Sequence, residues 1–324
     1  MPSPFPHLPP ESRGAVRVLR HESTALVGNA LGDPHVRDVF VHVPAGSGGR
    51  GLPAILLLPG YSGTGEKLLA RGLSDVPMSS RIDRLIADGC PPFVAVMPDV
   101  MTSLGGCQYV DSDGIGRYAT WLADELVPFV DATLGTIGWG VAGRSSGGFG
   151  ALHLALERPG RFQAVASHSG DLGFDLCYLA DLAPALRAWS AAGGVDRFVQ
   201  AFWAKEEPSS TDFAGLNLLC MARAYGALPV DPQSGEVDFD ALRGWSRFDP
   251  CVRELEPLRD LALLYVDVGD RDEHGLQFGA RRLKHRLDEA GIPLRYEEFV
   301  GGHRGNLSRW NLSLVAMATA LTKA

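Results

Sequence analysis

VAGRSSGGFGAL, residues 141–152, decides how this chain is read. A short apolar run, a Gly143-x-Ser145-x-Gly147 turn and an apolar helix-like run follow one another without a gap. That order is the sequence form of a nucleophile elbow, in which a strand turns sharply into a helix and presents a serine at the corner. A hydroxyl is a weak nucleophile until it is held clear of the backbone beside a base. Glycines flank Ser145 because side chains there would collide where strand and helix cross. With 39 glycines in 324 residues the pattern alone is weak, so its surroundings carry the reading.

Working outward, residues 16–19 and 36–43 alternate in polarity and read as an antiparallel pair joined through 28–34. Residues 54–58 form a continuous apolar run ending at Pro59-Gly60, as in a strand buried on both faces. The runs 93–97, 140–142, 164–167 and 261–268 have the same character, and helical periodicity is clearest over 116–130 and 278–289. This alternation predicts an α/β fold: a mostly parallel central sheet with helices on both faces and functional loops at the carboxyl ends of its strands. Residues 171–260 interrupt it with helix-compatible segments at 182–189 and 213–225, a Pro/Gly-rich break at 228–235, and Trp189, Trp203 and Trp245. The expected organisation is a core of residues 1–170 and 261–324 with a mainly helical insertion, 171–260. The insertion emerges at the carboxyl edge of the sheet as a cap, where Trp203 and Trp245 are expected to shape a pocket.

A hydrophobic fraction of 45% with 21% charged residues fits an ordinary globule, and the net charge of −8 argues against a nucleic-acid partner. Five scattered cysteines form no metal or redox motif, and the opening segment, with five prolines before Glu11, has no apolar signal-peptide core. No stretch is long and apolar enough for a membrane span. A cytoplasmic setting is therefore expected, with no cofactor and no metal. Oligomeric state is not readable from the chain.

An elbow serine needs a base and an acid later in the chain, in the order nucleophile, acid, histidine. After Ser145 come His153, His168, His274, His285 and His303. His153 and His285 fall inside helices. His303 follows the strand-like run 294–300 and the Gly301-Gly302 pair, where a last strand hands over to a last helix. The loop that ends the 261–268 run holds Asp270, Asp272 and Glu273; the spacing Gly269-x-x-Asp272 favours Asp272, with Asp270 the alternative. Oxyanion donors are expected from the Ser146 N–H and, in the loop after the third strand, the Tyr61 N–H. His168, Arg144, Arg304, Gln108 and Tyr109 are either substrate contacts or buried hydrogen-bonding groups.

Two further patterns are set aside. Gly138-x-Gly140-x-x-Gly143 places its glycines before and within a strand, where a dinucleotide site needs them after it. The Gly60 to Lys67 stretch has Glu66 where a phosphate loop needs lysine.

Four segments together resemble the putative-esterase family of α/β-hydrolases: GRSSGGFGALHLALERPGRFQAVASHSG (143–170), QYVDSDGIGRYATWLADELVPFVD (108–131), GDRDE (269–273) and GGH (301–303). The family includes S-formylglutathione hydrolases, feruloyl and enterochelin esterases, and mycolyltransferases. The resemblance covers most of the chain from Val36 onward. It implies an α/β-hydrolase fold, a catalytic triad of Ser145, Asp272 and His303, and oxyanion donors at Tyr61 and Ser146. It also implies a small-molecule ester as substrate, hydrolysed by a serine carboxylesterase. The alternatives are an acyltransferase with the same triad, or a hydrolase-like binding module. Pro59, Ser146 and Ala119 depart from residues frequent in relatives: histidine, methionine and an acidic residue.

Overall fold

The computed structural model describes residues 13–72 and 76–323; the remaining residues of the expected core, 1–12 and 324 among them, lie outside that description. Eight strands form one sheet: β1 (Ala15–Glu22), β2 (Val36–Val43), β3 (Ala54–Leu58), β4 (Val94–Pro98), β5 (Trp139–Arg144), β6 (Ala164–His168), β7 (Leu263–Gly269) and β8 (Arg295–Phe299). Their spatial order is β1-β2-β4-β3-β5-β6-β7-β8. β2 pairs antiparallel with both β1 and β4, and every other pairing is parallel, so β2 alone runs against the rest. This is the α/β-hydrolase architecture that the resemblance implies.

Burial follows position in that order. Every residue of β3, β4 and β6 is buried, whereas the edge strands β1 and β8 are largely exposed or half-buried. Alternate residues of β3 feed two separate cores: Leu56 and Leu58 join one face, Ile55 and Leu57 the other. Each such side chain stabilises the fold by about 1.5–3 kcal/mol. The centre of the sheet is therefore a stiff platform, and β5, paired between β3 and β6, carries Ser145 just beyond its carboxyl end.

The expected helix over 116–130 begins later and is less regular. Gly116–Arg117 pairs with Asp111–Ser112 in a small ladder, and the helical rod runs through Tyr118–Thr120, a π-helical stretch Trp121–Leu126, and Val127–Leu134. Pro128 has no N–H to donate into the preceding turn, and the widened π stretch just before it absorbs that gap. The other clear helix, expected over 278–289, spans Leu276–Ala290.

Between β6 and β7 the described elements are helical: Phe174–Cys177, Leu182–Ala191, Val195–Trp203, Ser210–Tyr225 and Phe239–Ser246. Ser210–Tyr225 starts at a capping box in which Ser209 and Asp212 satisfy each other's backbone N–H groups. Phe239–Ser246 is capped by the Asp238 carboxylate. The Pro/Gly-rich break carries one isolated bridge, Val230 to Val237. No helix among the described residues is long and apolar enough to cross a membrane.

Candidate active site

The elbow is as tight as its sequence requires. A Cβ on Gly143 would lie 2.0 Å from the Gly147 carbonyl oxygen, and one on Gly147 would lie 2.2 Å from that of Leu58. Only glycine lets strand, helix and β3 meet so closely. Ser145 itself takes φ 57° and ψ −126°, a strained conformation for a residue with a side chain. Its N–H donates to the His168 carbonyl at 2.9 Å, which ties the strained residue to β6. The helix Ser146–Glu157, buried from Ser146 to Leu156, then departs with its positive end beneath the serine.

Three distant parts of the chain converge here. Ser145 Oγ lies 3.1 Å from His303 Nε2, and His303 Nδ1 lies 2.8 Å from Asp272 Oδ2. A carboxylate only accepts, so Nδ1 carries the proton and Nε2 is free to accept from the serine. Burial pushes the Asp272 carboxyl up, but hydrogen bonds from His303 and from the His274 N–H, with the nearby imidazole charge, outweigh it and hold the group below its ordinary value. Asp270 stands apart: it accepts from the Gly301 N–H at 2.9 Å and from Arg271, and so fixes the turn rather than the imidazole.

Several supporting groups were not legible as such. Glu273 Oε2 accepts the His303 N–H at 2.6 Å, and His274 packs edge-on against the His303 ring with centroids 4.8 Å apart. The Arg144 guanidinium donates to the His303 carbonyl, and Asn306 Nδ2 donates to the same oxygen at 3.1 Å. Arg144 thus serves the histidine loop and also borders the cavity, as does Arg304. His168 faces the other way: its ring pairs with Asp267 at 2.7 Å and Ser313 at 2.8 Å inside the core.

Over the serine passes the loop after β3. A Cβ on Gly60 would sit 3.3 Å from Ser145 Cβ. The Ser62 N–H donates to the Gly105 carbonyl at 2.8 Å, and the Tyr61 hydroxyl donates to Leu104 at 2.8 Å while its ring covers Gly105 and Gly106. Among the described residues neither the Tyr61 N–H nor the Ser146 N–H has an acceptor. Gln108 and Tyr109 lie behind this loop, not in the cavity. Both take positive φ, and the Tyr109 hydroxyl donates to the Pro59 carbonyl.

A cavity of about 540 Å³ opens above Ser145 and His303. Tyr178, Asp181, Phe213 and Asn217 line it from the helical segment between β6 and β7. The tryptophans expected there do not. Trp203 is exposed at the surface, where its indole N–H donates to Ser103; Trp245 is fully buried, with its N–H on Ala227. A large ring needs a packed or N–H-satisfied seat, and each found one elsewhere. Asp171, in the segment that follows β6, was not singled out from sequence. Its Oδ1 stands 3.5 Å from Ser145 Oγ, and its Oδ2 accepts from the Tyr178 hydroxyl at 3.1 Å. Burial raises its carboxyl above the ordinary value, offset only in part by His303 and by the Tyr178 and Ser146 hydroxyls.

Known proteins resemble this chain in sequence and in fold. Residues 32–321 match the family described as Putative esterase. A curated esterase of Mycobacterium tuberculosis is 28% identical over 243 residues, which is 72% of this chain and 46% of that protein. The chain thus spans about half the length of the curated relatives it matches. Among solved structures, a ferulic acid esterase superposes with a TM-score of 0.59 at 18% identity, covering 96% of this chain and 99% of that one. An S-formylglutathione hydrolase from Agrobacterium tumefaciens gives 0.59 at 14% identity, with 97% and 98% coverage. At such identities these superpositions establish the fold.

Proposed function

The chain belongs to the Putative esterase family, and from that premise we propose that it is a serine carboxylesterase working through an acyl-enzyme on Ser145. The single observation that carries this reading is the relay from Ser145 Oγ to His303 at 3.1 Å and from His303 to Asp272 at 2.8 Å. Ser145 attacks the ester carbonyl as its proton passes to His303 Nε2. Asp272 holds the imidazole in the accepting tautomer and stabilises the imidazolium that forms. The tetrahedral oxyanion faces the Tyr61 and Ser146 N–H groups, whose lack of other acceptors supports that role. Collapse breaks the bond to the alcohol, which takes the proton from His303. A water then repeats the sequence on the acyl-enzyme and frees the acid and the serine.

In this reading residues 171–260 act as a cap whose inner side chains form one wall of the cavity. An acyltransferase would share every step up to the acyl-enzyme and replace water with an alcohol, so product partition with added alcohol measures that branch. The deciding experiment is a rapid-mixing assay with a 4-nitrophenyl ester and mass spectrometry of the quenched protein. A burst of nitrophenol with acyl mass on the Ser145 peptide is expected. Turnover with no acyl adduct at Ser145 overturns the reading.

A further inference from the structure

We propose that Asp171 is a specificity-determining residue that accepts a hydrogen bond from a hydroxyl or amino group on the substrate, one or two carbons from the scissile carbonyl. The inference rests on Ser145 being the nucleophile and goes further, to the class of ester. Asp171 is 8% exposed and lines the cavity, so the carboxyl is almost out of water yet open to a ligand. Its Oδ2 accepts from the Tyr178 hydroxyl at 3.1 Å. Oδ1, at 3.5 Å from Ser145 Oγ, is beyond an ordinary O–H···O bond, and the serine proton belongs to His303. A carboxylate has about four acceptor positions, so part of its capacity faces the cavity unused.

The distance sets where the substrate's donor must be. Once Oγ bonds the carbonyl carbon, atoms on the adjoining one or two carbons fall within hydrogen-bond reach of a carboxylate 3.5 Å from Oγ. A plain alkyl group there would leave a buried acceptor facing hydrocarbon, which is costly. A donor-bearing group satisfies it. The neighbouring wall has the same character: Asp181 is half-buried in the cavity, held by Asn217 Nδ2 at 2.9 Å, and burial raises its carboxyl too. That wall therefore sets two carboxyls, Asp171 and Asp181, among apolar side chains such as Phe213.

The test compares kcat/KM for matched pairs: ethyl lactate and ethyl alaninate against ethyl propionate on the acyl side, and 2-hydroxyethyl butyrate against propyl butyrate on the alcohol side. Each ratio is divided by that for alkaline hydrolysis, which removes inductive activation. The wild type should favour the donor-bearing member of at least one pair about tenfold to a hundredfold, the range of a charge-assisted hydrogen bond. Asp171→Asn and Asp171→Ala should each reduce that preference at least tenfold, and the favoured pair identifies hydroxyl or amino, acyl side or alcohol side. A wild type that hydrolyses every pair without preference overturns the proposal while leaving the serine esterase standing, and so does a folded variant that retains the full preference. Should neither variant fold, the wild-type ratios alone decide. Absence of any ester hydrolysis and of any Ser145 adduct removes the underlying reading as well.

Discussion

Ser145, His303 and Asp272 occupy one hydrogen-bonded line, and each makes a distinct kinetic demand. Ser145→Ala should fold normally and lose nearly all turnover, because only binding and oxyanion stabilisation remain; wild-type-like hydrolysis by that variant contradicts the assigned nucleophile. Asp272→Asn should lower kcat by up to about 10⁴ by favouring the wrong imidazole tautomer. Asp270→Asn removes only a turn contact to Gly301 and should cost far less, so comparing the two kcat values separates the candidates. At this scale the sequence was informative where order and motif spacing spoke: the elbow, the late histidine, the Gly269-x-x-Asp272 spacing. It was silent on Glu273, His274 and Asp171. Their contacts arise from how loops fold back after β6, β7 and β8, and no periodicity or motif encodes a backbone N–H meeting a carboxylate.

Among the elements, the helix Ser146–Glu157 bears the heaviest constraint, since it is buried from Ser146 to Leu156 and follows directly on the strained Ser145. His153 lies on it at 2% exposure, stacks with Phe149 at 5.4 Å, and takes a hydrogen bond on Nδ1 from Arg253 at 3.3 Å. Burial, with Arg253 and Arg158 nearby, lowers its pKa from 6.5 to about 3. The unfolded chain therefore binds a proton that the folded one refuses, so this contribution to stability is full above pH 6.5 and lost as pH falls toward 3. The loss is on the order of a few kcal/mol. Urea midpoints measured from pH 7 to pH 4 should drop less steeply for His153→Gln than for the wild type; parallel profiles would reject this account. Strands were legible in the sequence because burial on both faces gives continuous apolar runs. The π stretch Trp121–Leu126 was not, because it reflects a proline's missing donor rather than any change in hydrophobic pattern.

For the molecule as a whole, the sheet's carboxyl edge and residues 171–260 meet over Ser145, and on the proposed reading selectivity should reside in the side chains that face that meeting. Phe213→Ala, at the cavity wall, should change the ranking of ester substrates by about tenfold in relative kcat/KM, whereas Trp203→Ala, on the surface, should leave it intact. Ratios cancel any loss of folded enzyme, so equal rankings in both variants would rule out the insertion as a selectivity wall. Helix-compatible stretches at 182–189 and 213–225 pointed to two of the helices found between β6 and β7, but which aromatics face inward depends on packing between helices, which the chain's local pattern does not contain. The relay also spans a wide reach of sequence, with Ser145 and His303 158 positions apart. Because Asp272 and His303, the acid and base of the proposed mechanism, follow β7 and β8, vectorial synthesis brings Ser145 out of the ribosome well before them. A nascent chain therefore holds an inert serine alcohol until the final strands dock, and chemical reactivity toward acyl-directed probes becomes a late marker of completed folding.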